Sequence, residues 1–396
     1  MIKKLIHLTV LFLLTNSFAV FPQSSISFSE IGLNAALKKA KTENKPLLLW
    51  SYTTWCPHCK IMKEEVFTNQ KVADFFNKSF ICIRLDMEKG EGVDLKKDLN
   101  ITSFPTFIFY NPDGTIIYRL EGEFKPGAFI QEGENALTQK KQLPYLKLKF
   151  EKDISNSLNC YEYLRALKKG GMDFSTVVKN YFVTQNNKQL LSEINWRIIS
   201  NGVSDINSRE MKFVIDHQSE FKAIASPERV KRKLDYLVKE LLNPLVESND
   251  TLNYRSNRTL AAGIHSFSTD SLIFNFDLRI WLLTKNWNAY FETCRQSAKT
   301  FAWSNPTQLY DIAVTILNNI SAPEALLLAE QWAQRSLSIH EDYDTFLLCS
   351  RLYKKLNNTK EAINMANKGK ELSAKYGWKG IEAENLLKEL NDSSAK

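Results

Sequence analysis

Cysteine is scarce in this chain: six residues among 396, two of them close together and four scattered. A scaffold stapled by disulfides is denser in cysteine and usually much smaller, so that class is excluded. Also missing is any dense Lys/Arg block or glycine-arginine tract, although the formal net charge is +8. Without such a footprint nothing points to nucleic acid, and the charge reads as a solvated, slightly basic surface. Past the N-terminus there is no apolar run of the roughly 20 residues that a membrane span needs. Histidine is sparse too, and His217, His265 and His340 stand alone in the later half. Zinc wants about four ligands, usually a second Cys/His pair, so no metal is expected. No cofactor is implied either.

What is present begins at the N-terminus. Met1-Ile2-Lys3-Lys4 is cationic, Leu5 to Leu14 is apolar, and Ser17-Phe18-Ala19 supplies small residues for cleavage after Ala19. That is the three-part layout of a secretory signal peptide, and the expected segment is 1–19, with an uncleaved anchor as the alternative. No cysteine follows the apolar run, so a bacterial lipoprotein anchor is not expected. The expected location is the periplasm or the exterior. The length calls for two or three compact units. The expected division is 24–140 as an α/β domain, 141–300 as a helical region, and 301–396 as a helical region with a repeat.

Phe28 to Lys41 has helical apolar spacing, with Ser29 as candidate N-cap, and Asn44-Lys45-Pro46 ends it. Leu47 to Tyr52 reads as a buried strand running into Trp55-Cys56-Pro57-His58-Cys59-Lys60. Helical spacing resumes to Phe76 with a break near Thr68-Asn69. Phe80 to Leu85 is a second strand and Leu95 to Asn100 a short helix. Thr106 to Tyr110 and Thr115 to Leu120 form a hairpin around Asn111-Pro112-Asp113-Gly114, and a last helix spans Ala128 to Thr138. This order predicts a central mixed sheet flanked by helices. From Lys140 onward the pattern is helical, as in Glu228 to Leu242 and Ala322 to Leu337, which predicts an all-α C-terminal region. Ala329, Ala333 and Ser336 recur as Ala362, Ala366 and Gly369. Such spacing resembles tetratricopeptide helix pairs. A generic array of antiparallel helices reads equally well.

Cys56 and Cys59 carry the chemistry. Disulfide exchange needs a thiolate, because the thiol is a poor nucleophile. A cysteine where a strand gives way to a helix meets helical N–H groups and the positive end of the dipole, which favour the thiolate. Pro57 suits the first helical turn, and His58 offers a donor or positive charge alongside. Cys59, one turn later, is placed to close a Cys56–Cys59 disulfide and to resolve the mixed disulfide formed by Cys56. It should be the less exposed of the two. Cys82 and Cys349 sit in apolar runs and read as buried small hydrophobes. Whether Cys160 and Cys294 pair is left open.

The second signal is Phe104-Pro105-Thr106, opening a strand about fifty residues after the motif. Together with Trp55-Cys56-Pro57-His58-Cys59-Lys60 after an apolar strand, it resembles the thioredoxin superfamily. The stretch resembles the thioredoxin-like domains of exported bacterial proteins, including the C-terminal domain of the thiol–disulfide interchange protein DsbD. The resemblance covers Phe28 to Leu137. It implies a thioredoxin fold, a cis Pro105 packed against the active-site disulfide, and a substrate strand paired with the backbone of Phe104. Two departures stand out. Trp50 occupies the place of the family's buried aspartate, leaving Glu64, Glu65 and Asp86 as candidate proton acceptors for Cys59. Pro57-His58 is the dipeptide of an oxidase, whereas the surrounding sequence leans towards reductants.

The reading is an exported protein thiol–disulfide oxidoreductase, reductase- or isomerase-like more than oxidase. Its partners would be protein thiols and disulfides and a membrane or periplasmic electron donor or acceptor. The alternative is a helical peptide-binding or scaffold protein with an accessory redox domain.

Overall fold

The computed structural model describes residues 25–394, so the expected signal peptide lies outside the described residues. The chain divides into two compact units, Met1–Val203 and Ser204–Lys396. The first opens with α1 (Leu33–Glu43), β1 (Leu47–Tyr52), α2 (Pro57–Ile61), α3 (Gln70–Ser79), β2 (Ile81–Asp86), α4 (Gly92–Asp98), β3 (Thr106–Tyr110), β4 (Ile116–Glu121) and α5 (Pro126–Leu137). A π-helical turn, Met62–Val66, continues α2. The four strands lie in the order β2-β1-β3-β4, with β1 parallel to β2 and antiparallel to β3, and β3 antiparallel to β4. This is the thioredoxin-like mixed sheet flanked by helices.

Strand β1 is mostly apolar, with Ser51 its one small polar residue, because both its faces are covered. Successive side chains alternate, so Leu48 and Trp50 join one core with Phe107, Phe109, Cys56 and Cys59. Leu47 and Leu49 join the other with Ile81, Ile83 and Ile108. The first core is rich in aromatic rings; Phe76 stacks on Phe129 at 4.4 Å between ring centres.

Two expected boundaries are corrected. Helix α1 begins at Leu33, not Phe28, and Ser29 does not cap it. Ser29 is held extended along the outer edge of β2, where its N–H donates to Cys82 O and its carbonyl accepts from Arg84 N–H. The carboxylate of Glu91 takes over at the helix start, accepting from Leu33 N–H at 2.8 Å. Helix α4 starts at Gly92 rather than Leu95.

The compact unit does not stop near residue 140. Helices α6 (Leu143–Lys152) and α7 (Ser157–Lys169) pack against β4. Lys169 pairs with Glu132, whose other oxygen accepts from the Tyr118 hydroxyl at 2.8 Å. Gly171 has φ +61, which strains any L side chain, and a Cβ there would also displace the Glu121 carboxylate, 2.0 Å away, at the end of β4. Three further helices complete this unit: Ser175–Val183, Asn187–Leu190 and Glu193–Gly202.

The second unit is helical from Arg209 to Ser394 among the described residues. Ala329, Ala333 and Ser336 are buried on Pro323–Ile339, and Ala362, Ala366 and Gly369 are buried on Thr359–Lys375. The recurring small residues thus mark helix-packing faces. Gly369 meets Leu347 so closely that a Cβ would lie 3.2 Å from its Cδ2. No helix of the described residues is long and apolar enough to cross a membrane.

Candidate active site

Strand β1 ends at Tyr52, and a short turn through Thr53, Thr54 and Trp55 delivers Cys56 to the N-cap of α2. The N-cap backbone is extended (φ −73°, ψ 114°), and Pro57 takes the first helical position. With the backbone so bent, the Cys59 N–H donates to Cys56 Sγ at 3.1 Å. The motif therefore closes on itself, and Cys56 supplies with sulfur the capping that Ser or Asp supplies elsewhere with oxygen.

Whole-residue exposure does not separate the two cysteines, at 4% for Cys56 and 3% for Cys59. Electrostatics does. Burial, reinforced by the hydrogen bond and charge of Cys56, pushes the Cys59 thiol up to about 12. The groups that act on it are Cys56 and the backbone at Thr53 and at Cys59 itself. None of the carboxylates considered as proton acceptors is among them. Glu64 and Glu65 are exposed in the π-helical turn, and Asp86 pairs with Lys89 at 3.4 Å. Trp50 is 2% exposed and stacks on Tyr52 at 4.8 Å, part of an aromatic wall beside the motif.

Around the motif lie contacts that sequence spacing did not reveal. His58 Nδ1 is 2.9 Å from Glu123 Oε2. Trp55, 65% exposed, donates from Nε1 to Glu88 Oε1 at 2.9 Å and meets Phe104 edge-on with ring centres 6.2 Å apart. The Phe104–Pro105 peptide bond is cis, as the resemblance implied, and Pro105 O accepts from Gly122 N–H at 2.9 Å. Phe104 thus meets the motif through Trp55, and Lys96 Nζ lies over its ring, 5.4 Å from the centre. Glu88 and Glu123 were not legible as site residues: each arrives from a distant loop with no pattern that marks it.

The four remaining cysteines are buried free thiols. Burial pushes Cys82, Cys160 and Cys349 up to about 12 and raises Cys294 as well. Cys160 and Cys294 each belong to the core of a different unit. Among the described residues, no group of three or more His, Cys, Asp or Glu is arranged to hold a metal ion.

A family model described as a thioredoxin-like domain matches residues 33–137. Among curated proteins, the mouse spermatogenesis-associated protein 20 is 41% identical over 59 residues, 15% of this chain and 8% of that protein. The thiol:disulfide interchange protein DsbD of Pseudomonas fluorescens is 31% identical over 103 residues, 25% of this chain and 18% of that one. The chain therefore spans less than a fifth of the length of these relatives. A Bacteroides thetaiotaomicron protein solved in solution is 38% identical, covering 29% of this chain and 94% of its own, with a TM-score of 0.27. The family match falls on the segment that holds Cys56, Cys59 and the cis Pro105, and residues 33–137 are thus similar to thioredoxin-like domains.

Proposed function

We propose that this chain is an exported protein thiol–disulfide oxidoreductase whose redox couple is Cys56–Cys59. The observation that carries the reading is the inequality of the two sulfurs. Cys56 Sγ accepts a hydrogen bond from the Cys59 N–H at the start of α2. Cys59 is held as a neutral thiol. An attacking thiolate beside a reserve thiol is the arrangement that two-step exchange requires.

In the reducing direction, Cys56 Sγ attacks one sulfur of a substrate disulfide, and the other leaves as a thiolate. The mixed disulfide removes the negative charge from Cys56, which relieves one cause of the high Cys59 value. Cys59 then gives its proton to the substrate thiolate released in the first step and attacks Cys56 Sγ. The second substrate thiol leaves, the Cys56–Cys59 disulfide forms, and two electrons have passed to the substrate. The oxidising direction is the same path reversed. Phe104 and Pro105 are the proposed substrate-binding residues, with Trp55, Pro57 and His58 shaping and tuning the site. Electrons would be exchanged with a periplasmic or membrane partner. The direction we propose is reductase- or isomerase-like.

The test is a mixed-disulfide trap. Cys59→Ser should accumulate covalent adducts with protein thiols, dispersed by reductant, whereas Cys56→Ser should form none. Equal adducts from both variants would defeat the assignment. A reduction potential near −270 mV would support the reducing direction and one near −120 mV would reverse it.

A second reading rests on the helical unit. An open cleft of about 580 Å³ there is lined by Leu337, Phe346, Met365 and Leu372, with Lys368 and Glu371 at its sides. If peptide binding in this unit were the main role, the chain would be a scaffold with an accessory redox domain. Replacing both motif cysteines by serine would then leave the cellular phenotype intact.

A further inference from the structure

His58 lies between the two cysteines, yet its ring is engaged from outside the motif. The Nδ1···Glu123 Oε2 distance is 2.9 Å, with side-chain exposures of 61% and 37%. Glu123 belongs to the loop between β4 and α5, and that loop is tied down on both sides. Before it, Gly122 N–H donates to Pro105 O at 2.9 Å; after it, Phe124 N–H donates to Met62 Sδ at 3.2 Å. Gly122 itself has φ +93, which a side chain would strain. The carboxylate is therefore placed by the two segments that carry the cysteines and the cis-proline.

A protonated histidine beside Cys56 stabilises the thiolate, hence the dithiol form, and makes the couple a stronger oxidant. A carboxylate bound to the same ring changes what the sulfur feels. The pair acts as a dipole, whose field falls off faster than that of a single charge. An exposed pair of this kind contributes little to folding, so stability does not explain it. We propose that Glu123 is a positioning residue that sets the reduction potential of Cys56–Cys59 through His58. It holds the ring by Nδ1 and offsets its charge, so that a Pro-His motif works at a more reducing potential than its dipeptide alone would give. This reconciles an oxidase-like dipeptide with a reductant-like domain, and it rests on the oxidoreductase reading above.

The test equilibrates the full chain with glutathione redox buffers at pH 6, where an unpaired histidine is largely protonated. Four forms are compared: wild type, Glu123→Gln, His58→Ala and the double variant. Glu123→Gln should shift the equilibrium about tenfold towards the dithiol form, a change of about 30 mV. In the His58→Ala background the same substitution should shift nothing. An unmoved potential in Glu123→Gln overturns the inference, as does a shift that survives without His58. A wild-type chain that forms no Cys56–Cys59 couple overturns the oxidoreductase reading itself.

Discussion

Cys59 loses its water to burial and has Cys56 one hydrogen bond away, and both keep its thiol protonated up to about pH 12. An unfolded cysteine titrates near ~8.5. A group whose folded pKa is raised contributes stability that is complete below the unfolded value and is lost as pH rises towards the folded one. The reduced protein should accordingly lose stability between about pH 8.5 and 12. The part due to Cys59 should vanish in reduced Cys59→Ala, whose urea midpoint should fall less steeply over that window. Parallel slopes would show that Cys59 does not contribute. Cys56, Pro57, His58 and Cys59 were legible because their relation is local: four consecutive residues at a strand-to-helix turn. Glu88 and Glu123 were not, since their contacts with Trp55 and His58 span 33 and 65 residues. Trp50 was legible as a departure from the family. Its surroundings, the rings of Phe28, Tyr52 and Phe67, emerged only from the packing.

At the level of elements, α5 carries two glycines with opposite roles. Gly133 faces α3, where an added Cβ would lie 2.4 Å from Phe75 Cε1 and 2.9 Å from Phe76 Cζ. Phe76 is fully buried and stacked on Phe129, so its ring cannot yield cheaply. Gly133→Ala gains helix propensity of up to about 1 kcal/mol. Overpacking costs about 1–3 kcal/mol and should win. Gly127, in the first turn of α5, has nothing within 4 Å of an added Cβ. Gly127→Ala should therefore stabilise, by at most about 1 kcal/mol. Urea denaturation of the two variants should show shifts of opposite sign; shifts of one sign would mean that α3 and α5 do not meet as described. The strand β1 read from the sequence has the bounds found, because a breaker at Pro46 and a continuous apolar run define it without outside help. The start of α1 was misplaced because Ser29 and the helical spacing both favour an earlier start. What decides is a bridge to β2 and a cap from Glu91, 58 residues away.

Over the whole molecule, the change of pattern near Lys140 was legible, and the place where the first compact unit ends was not. An apolar stripe on a helix tells that it packs, not against what. Leu143, Leu146 and Phe150 are buried on α6, and α6 and α7 lie against β4, the edge strand of the sheet. They cover Tyr118 and Arg119, which are 6% and 5% exposed. Arg119 donates to Leu99 O at 2.6 Å and Asn100 O at 3.1 Å, so uncovering it would also loosen the turn that leads to Phe104 and Pro105. A fragment of residues 25–203 should then unfold cooperatively in urea and keep the Cys56–Cys59 couple of the full chain. A fragment of residues 25–141 lacks the Lys169–Glu132 pair and the cover over β4. It should have the lower urea midpoint, and its exposed edge should make it prone to association. Equal midpoints for the two fragments would make α6 and α7 attachments to a self-sufficient domain. A lower midpoint for the shorter one would make them part of the redox unit, with the cis-proline segment braced through Arg119.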